Sequence, residues 1–183
     1  MRKIVNSTYI TLDGVVENPH LWPSLGGGDA SEGDQIQTEL LLACDAVLMG
    51  RRTYEGFAPV WPTRSGDPVS DRMNSMPKYV VSSTLSNPEW TNTTVIDGDP
   101  VAAIRELKEA PGMDIVQYGF GRLSTTLVEQ RLLDEVRLWF HPLFLGGAQP
   151  QDTLGYHCPP AKFSLEDVRR LANGIVILTY ARR

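Results

Sequence analysis

The chain's apolar positions follow two rhythms, one of period two and one of period three to four. Lys3 to Leu12 alternates apolar with small polar residues around Ile4, Ile10 and Leu12, the mark of a strand, and Asp13-Gly14 then turns the chain. Asp34 to Cys44 places Ile36, Leu40, Ala43 and Cys44 on one face and predicts a helix. Ala46 to Met49 is a short apolar run suited to a buried strand. Further strands are predicted at Lys78–Val81, Thr93–Ile96, Asp114–Tyr118 and Val136–Phe140. Helices are predicted from the Gly50-Arg51-Arg52 segment to about Phe57, over Asp71–Met76, over Val101–Glu109 behind the N-cap Asp99, and over Leu123–Leu132. Phe163–Val168 and Ile175–Tyr180, joined through Ala172-Asn173-Gly174, predict a closing hairpin.

Strands that alternate with helices imply a largely parallel sheet with helices on both faces, made mixed by the terminal hairpin. The 183 residues suit a single domain, 1–183, long enough to bury a core without disulfides or metals. Residues 17–33 interrupt the pattern with prolines and a glycine run. A loop this long inside a compact domain is more often functional than decorative.

Composition narrows the function classes. The net charge of −5 argues against a nucleic-acid surface, which would need a basic stripe. No window approaches the roughly 18 apolar residues of a membrane helix, and Met1–Ser7 turns polar too soon for a signal peptide. Cys44 and Cys158 are the two cysteines, too few for a disulfide framework and without metal-ligand spacing around them. Cytoplasmic residence and no metal are therefore expected.

In open α/β sheets ligands bind beyond the carboxyl ends of the strands. Three polar segments fall there: Gly50-Arg51-Arg52-Thr53, Ser82-Ser83-Thr84 and Gly119-Phe120-Gly121-Arg122. A glycine lets a phosphate approach the backbone, helix starts present free N–H groups, and arginines add forked charge-assisted hydrogen bonds. Each segment also has a plainer reading, as a turn, a capped helix start or a solvated arginine pair. Asp34, at the head of its helix, reads as a capping carboxylate. Trp22, in the glycine-rich loop, reads either as a loop anchor or as a surface on which a flat substrate stacks.

Taken in order, the segments resemble a known family. Asp45-Ala46-Val47-Leu48-Met49-Gly50-Arg51-Arg52-Thr53-Tyr54-Glu55 is similar to the strand–GRxT–helix segment of dihydrofolate reductase and of the riboflavin-biosynthesis reductase domain (the RibD C-terminal type). Lys78–Leu85 resembles their next strand with its serine-bearing end. Leu132–Leu138 followed by Pro142-Leu143-Phe144-Leu145-Gly146-Gly147, and Thr11-Leu12-Asp13-Gly14 after the first strand, are similar to stretches of the riboflavin-type reductases. The resemblance spans essentially the whole chain, and it implies a three-layer dihydrofolate-reductase-like fold and NADPH as cofactor. It sets Gly50, Arg51, Arg52 and Thr53 at the cofactor phosphates and Ser82 and Ser83 at the adenosine end. Gly119, Gly121, Arg122 and Leu123 fall on a second phosphate-binding turn, where Phe120 replaces one glycine of the family's usual pair. Asp34 is implied to meet the substrate and to help protonate it.

The resemblance therefore implies hydride transfer to a C=N or C=O bond of a small pterin- or pyrimidine-like molecule. The alternative is a protein on the same scaffold that binds NADPH or another ligand without turnover. A homodimer is expected, because the closing hairpin is apolar enough to need cover and the riboflavin-type reductases are often dimeric.

Overall fold

The computed structural model describes residues 1–25 and 31–183. The elements run β1 (Ile4–Thr11), α1 (Ser31–Leu42), β2 (Cys44–Gly50), α2 (Arg51–Phe57), α3 (Pro68–Ser75), β3 (Lys78–Val81), β4 (Thr93–Ile96), α4 (Pro100–Glu109), β5 (Asp114–Tyr118), α5 (Arg122–Glu129), β6 (Glu135–His141), β7 (Phe163–Arg170) and β8 (Val176–Arg182). The strands form a mixed, mostly parallel sheet in the order β4-β3-β2-β5-β1-β6-β8-β7. The α/β class and the terminal hairpin agree with the rhythm of the sequence. No helix among the described residues is long and apolar enough to cross a membrane.

Two compact units make up the chain, Met1–Ile4 with Asp34–Tyr118, and Val5–Gly33 with Gly119–Arg183. In the first, β2 lies between β3 and β5, β4 flanks β3, and every pairing is parallel. Val47, Leu48 and Met49 are wholly buried, as a continuous apolar run requires of a central parallel strand. Arg2 is buried; its guanidinium bonds the Met113 carbonyl and the Asp45 carboxylate. Asp45 also accepts the Met113 N–H at 2.8 Å. That network ties the N-terminus to the starts of β2 and β5 and pairs the buried guanidinium with a carboxylate.

In the second unit β1 pairs parallel with β6, and β8 runs antiparallel to both β6 and β7. Leu127, Leu133, Trp139, Leu171 and Ile177 form its centre. The loops that follow β1 and β6 are laced together. Leu12 N–H donates to the Leu143 carbonyl at 2.9 Å, and Val16 N–H to the Asp152 carbonyl at 2.9 Å. Leu154 N–H donates to the Gly14 carbonyl at 2.8 Å.

Several predicted boundaries move, each for a local reason. α1 begins at Ser31, so Asp34 lies inside its first turn and not at its head. The apolar periodicity starts only at Ile36, so it could not reveal the polar first turn. Cys44 leaves the helix and opens β2, wholly buried as a small core residue. There the Arg72 guanidinium takes the Leu41 and Cys44 carbonyls, satisfying the chain where helix becomes strand. α3 starts at Pro68, because the Asp67 side chain accepts the Ser70 N–H at 2.9 Å and Pro68 occupies the first turn. α5 stops at Glu129, short of the expected Leu132, since Arg131 takes a left-handed conformation and Leu132 N–H closes on the Leu127 carbonyl. The hairpin turns where expected. Gly174 adopts φ 87°, and the Asn173 side chain accepts the Ile175 N–H. Residues 26–30 of the predicted glycine-rich loop lie outside the described residues.

Candidate functional site

The sequence of β2 ends where its chemistry begins. β2 and β3 are parallel with Gly50 opposite Val81, so Arg51-Arg52-Thr53 and Ser82-Ser83-Thr84 leave the sheet side by side. Arg51 Nη1 donates to Thr84 Oγ1 at 2.7 Å, which fastens the two segments to each other. Arg51 Nε also meets Glu55 one turn along α2, at 3.2 Å. Arg52, Ser83 and Thr84 are exposed. Ser82, by contrast, is buried, and its hydroxyl accepts the N–H groups of Thr84 and Leu85 at 3.2 and 2.9 Å. That is a side-chain cap on the turn after β3. Tyr54 supports the cluster from below, packing on Trp90 and accepting its backbone N–H at 3.3 Å.

In the second unit the Gly119–Leu123 segment opens α5. Gly119 has φ 79°, which a side chain would strain, and its carbonyl accepts from Asn6 Nδ2 at 2.9 Å and Ser124 Oγ at 3.0 Å. Gly121 serves as the N-cap of α5, and a Cβ built on it would meet no atom within 4 Å. The turn is open at Gly121 for want of neighbours and fixed at Gly119 by conformation. Phe120 is half-buried and Arg122 exposed.

Trp22 lines a cavity of about 260 Å³ with Val15, Glu17, Leu21, Leu145 and Asp152. Its indole N–H donates to the Glu17 carbonyl at 3.0 Å, and its ring meets His141 edge-on at 5.4 Å. His141 stacks in turn on Tyr9, and burial holds its pKa below the usual imidazole value against the opposing pull of the Trp139 carbonyl. The Trp22 loop is pinned by Asp13. Its carboxylate accepts from the Thr11 hydroxyl and from the Leu145 and Gly146 N–H groups, and these bonds lower its pKa. Asp34 sits exposed on α1, where its carbonyl accepts from Thr38 Oγ1 at 2.7 Å.

The structure thus joins Gly50, Arg51, Arg52 and Thr53 to the Ser82–Thr84 turn in one unit. It builds the Gly119–Leu123 turn and the Trp22 cavity in the other. Sequence reasoning named Thr84 only within its polar segment and left Glu55 and Glu17 out of the site. Thr84 bears the cross-segment contact, and its signal lay in the same run of hydroxyls as Ser82. Glu55 follows Arg51 at helical spacing and was legible as an i,i+4 partner. Glu17 had no signal, because a loop carboxylate acquires meaning only from the fold around it.

Comparison with known proteins gives this arrangement its relatives. The family model described as "RibD C-terminal domain" matches residues 2–177. The chain is 31% identical over 157 residues to the "Uncharacterized protein YyaP" of Bacillus subtilis (strain 168), covering 81% of this chain and 79% of that one. A putative riboflavin biosynthesis protein from Shewanella sp. PV-4 superposes with a TM-score of 0.69 at 21% identity, over 99% of each chain. A pyrimidine reductase-like protein from Corynebacterium diphtheriae superposes at 0.65 with 10% identity, over 100% of this chain and 92% of that one. The diaminohydroxyphosphoribosylaminopyrimidine deaminase/5-amino-6-(5-phosphoribosylamino)uracil reductase of Thermotoga maritima superposes at 0.67 with 15% identity. All of this chain matches 57% of that longer one. At these identities the structural likenesses establish the fold.

Proposed function

Because the chain belongs to the RibD C-terminal domain family, we propose that it is an NADPH-dependent reductase acting on a C=N or C=O bond of a small pterin- or pyrimidine-like heterocycle. The observation that carries this reading is the junction of Arg51 with the Ser82–Thr84 turn. Two arginines beside a run of hydroxyls form a donor set suited to a phosphate monoester such as the one that distinguishes NADPH from NADH. The Arg51–Glu55 pair is half-exposed on both sides and worth only about 0–1 kcal/mol, so an incoming phosphate displaces the carboxylate at little cost.

In this reading Arg51, Arg52, Thr53 and Ser83 hold the adenosine side of the cofactor. Ser82 shapes the turn that presents them. Gly50 receives its phosphates. Bound NADPH supplies the hydride. The chain's own residues bind, orient and exclude water. Trp22 offers a flat apolar surface to the heterocycle, and the Asp13 bonds keep its loop in place. Asp34 delivers the proton that the reduced nitrogen or oxygen must gain.

The test is to incubate the protein with NADPH and a panel of oxidised pterins and aminopyrimidines, following loss of nicotinamide absorbance. Turnover of at least one is expected. With that substrate, Asp34→Asn should lower turnover by about 10²–10⁴-fold while NADPH affinity stays near wild type. Unchanged turnover removes Asp34 from proton delivery. NADPH binding without turnover of any compound in the panel favours a binding protein on the same scaffold.

A further inference from the structure

Basic residues are spread unevenly along the chain. None of its 17 lysines and arginines falls between Ile4 and Gly50 or between Leu138 and Ala161. Those two stretches contain the loops after β1 and β6, which together line the Trp22 cavity. The lining therefore carries two carboxylates, Glu17 and Asp152, and among the described residues no lysine or arginine.

Backbone contacts fix both acids in place. Val15 bridges Thr153, and Val16 N–H donates to the Asp152 carbonyl at 2.9 Å, so Glu17 follows this bridge into the lining it shares with Asp152. The Glu17 carbonyl accepts the Trp22 indole N–H at 3.0 Å. One residue thus holds the aromatic wall and carries a charge beside it. The Asp152 carboxylate is engaged by the Gln149 N–H at 3.2 Å, whereas no hydrogen bond or ion pair among the described residues engages the half-buried Glu17 carboxylate. Val15, Leu21 and Leu145 add apolar surface. A carboxylate beside such walls favours N–H donors through charge-assisted hydrogen bonds and repels anions with less screening than in open water.

We infer that Glu17 selects the substrate: the cavity takes a flat heterocycle whose edge presents amino or ring N–H donors, and it excludes a ring that carries phosphate or carboxylate. The inference deepens the proposed function and rests on its reading of Trp22 as the surface that receives the heterocycle. Two adjacent N–H groups on such a ring match the two oxygens of one carboxylate. Asp152 adds negative charge to the same cavity without having to touch the ring. The chain's three histidines do not reverse the sign. His20 and His157 are exposed and outside the lining, and burial disfavours the charged form of His141.

The experiment is titration calorimetry of the wild type, Glu17→Gln and Glu17→Lys with three pteridines: 2,4-diaminopteridine, its dioxo analogue lumazine, and pterin-6-carboxylate. Each titration is run with and without NADP+, which carries no hydride to transfer and so keeps the ligands intact. Both substitutions keep the backbone carbonyl that holds Trp22, and thermal unfolding checks that the fold is kept. The wild type should bind 2,4-diaminopteridine at least about tenfold more tightly than lumazine, and lumazine at least about tenfold more tightly than pterin-6-carboxylate. Glu17→Gln should abolish the first preference, and Glu17→Lys should reverse the second. A wild type without these preferences, variants that keep the wild-type order, or binding of none of the three overturns the inference. Direct titration with NADPH reads the cofactor separately. A chain that binds NADPH and shows no pteridine preference loses this inference and keeps its cofactor. A chain that shows the preference without binding NADPH keeps this inference and loses the proposed reductase activity.

Discussion

Lys78 is wholly buried, yet it carries an ammonium. Its Nζ donates to the Asn74 and Met76 carbonyls at 2.7 and 2.8 Å and lies 4.6 Å from the centre of the Trp90 ring. Those carbonyls belong to the end of α3, so the lysine completes bonds that the helix leaves open. No carboxylate among the described residues is paired with it, and burial lowers its pKa from 10.5 to about 8. The sign of the consequence is fixed by linkage: between those values the unfolded chain binds a proton that the folded chain does not. Stability from this group therefore rises as pH climbs from about 8 towards 10.5. Chemical denaturation across that window should show the rise in the wild type and lose it in Lys78→Met. Parallel pH profiles would mean that Lys78 keeps its ordinary affinity for protons. At this scale the sequence shows residue types and not their partners. Arg51 and the hydroxyl run were visible. That Ser82 caps its own turn while Thr84 receives Arg51 depends on the β2–β3 register, which no local pattern encodes.

Elements whose ends carry a local signal were legible, and those that end through tertiary contacts were not. Asp99 was readable as the cap of α4, and its carboxylate accepts the Val101 and Ala102 N–H groups at 2.9 and 3.3 Å. Asp99→Ala should lower unfolding free energy by about 1 kcal/mol, with Asp99→Asn closer to wild type. Equal stability in all three would show that α4 holds through its buried face alone. The end of α1 instead depends on Arg72, some thirty residues downstream, which periodicity cannot see. The loops after β1 and β6 are coupled in the same non-local way. Asp13→Ala should speed hydrogen exchange at the Leu145 and Gly146 amides it now holds, with little change elsewhere. Unchanged exchange at both would show that the backbone bonds between the loops suffice without it. Acid should mimic the substitution, because Asp13's bonds hold its pKa below the usual carboxylate value and are lost as pH falls through that lowered value.

For the whole molecule, the alternation of strands and helices revealed the α/β class and the closing hairpin, because both follow from periodicity and turn chemistry. Membership of the RibD C-terminal domain family agrees with the ordered motifs from Thr11-Leu12-Asp13-Gly14 to Gly146-Gly147. The Trp22 cavity was beyond reach of the sequence, since Val15, Glu17, Leu145 and Asp152 meet only once two distant loops lock together. In the proposed function Arg51, fastened to Thr84 of the Ser82–Thr84 turn, and Arg52 beside it hold NADPH. Titration calorimetry with NADPH and NADH, on the wild type and on Arg51→Ala and Arg52→Ala, tests this most directly. NADPH should bind the wild type more tightly than NADH. Each substitution should cost NADPH about 1.5–3 kcal/mol, as expected for a lost charge-assisted hydrogen bond, and cost NADH much less. Equal affinity for the two cofactors, or binding of neither, would contradict the account.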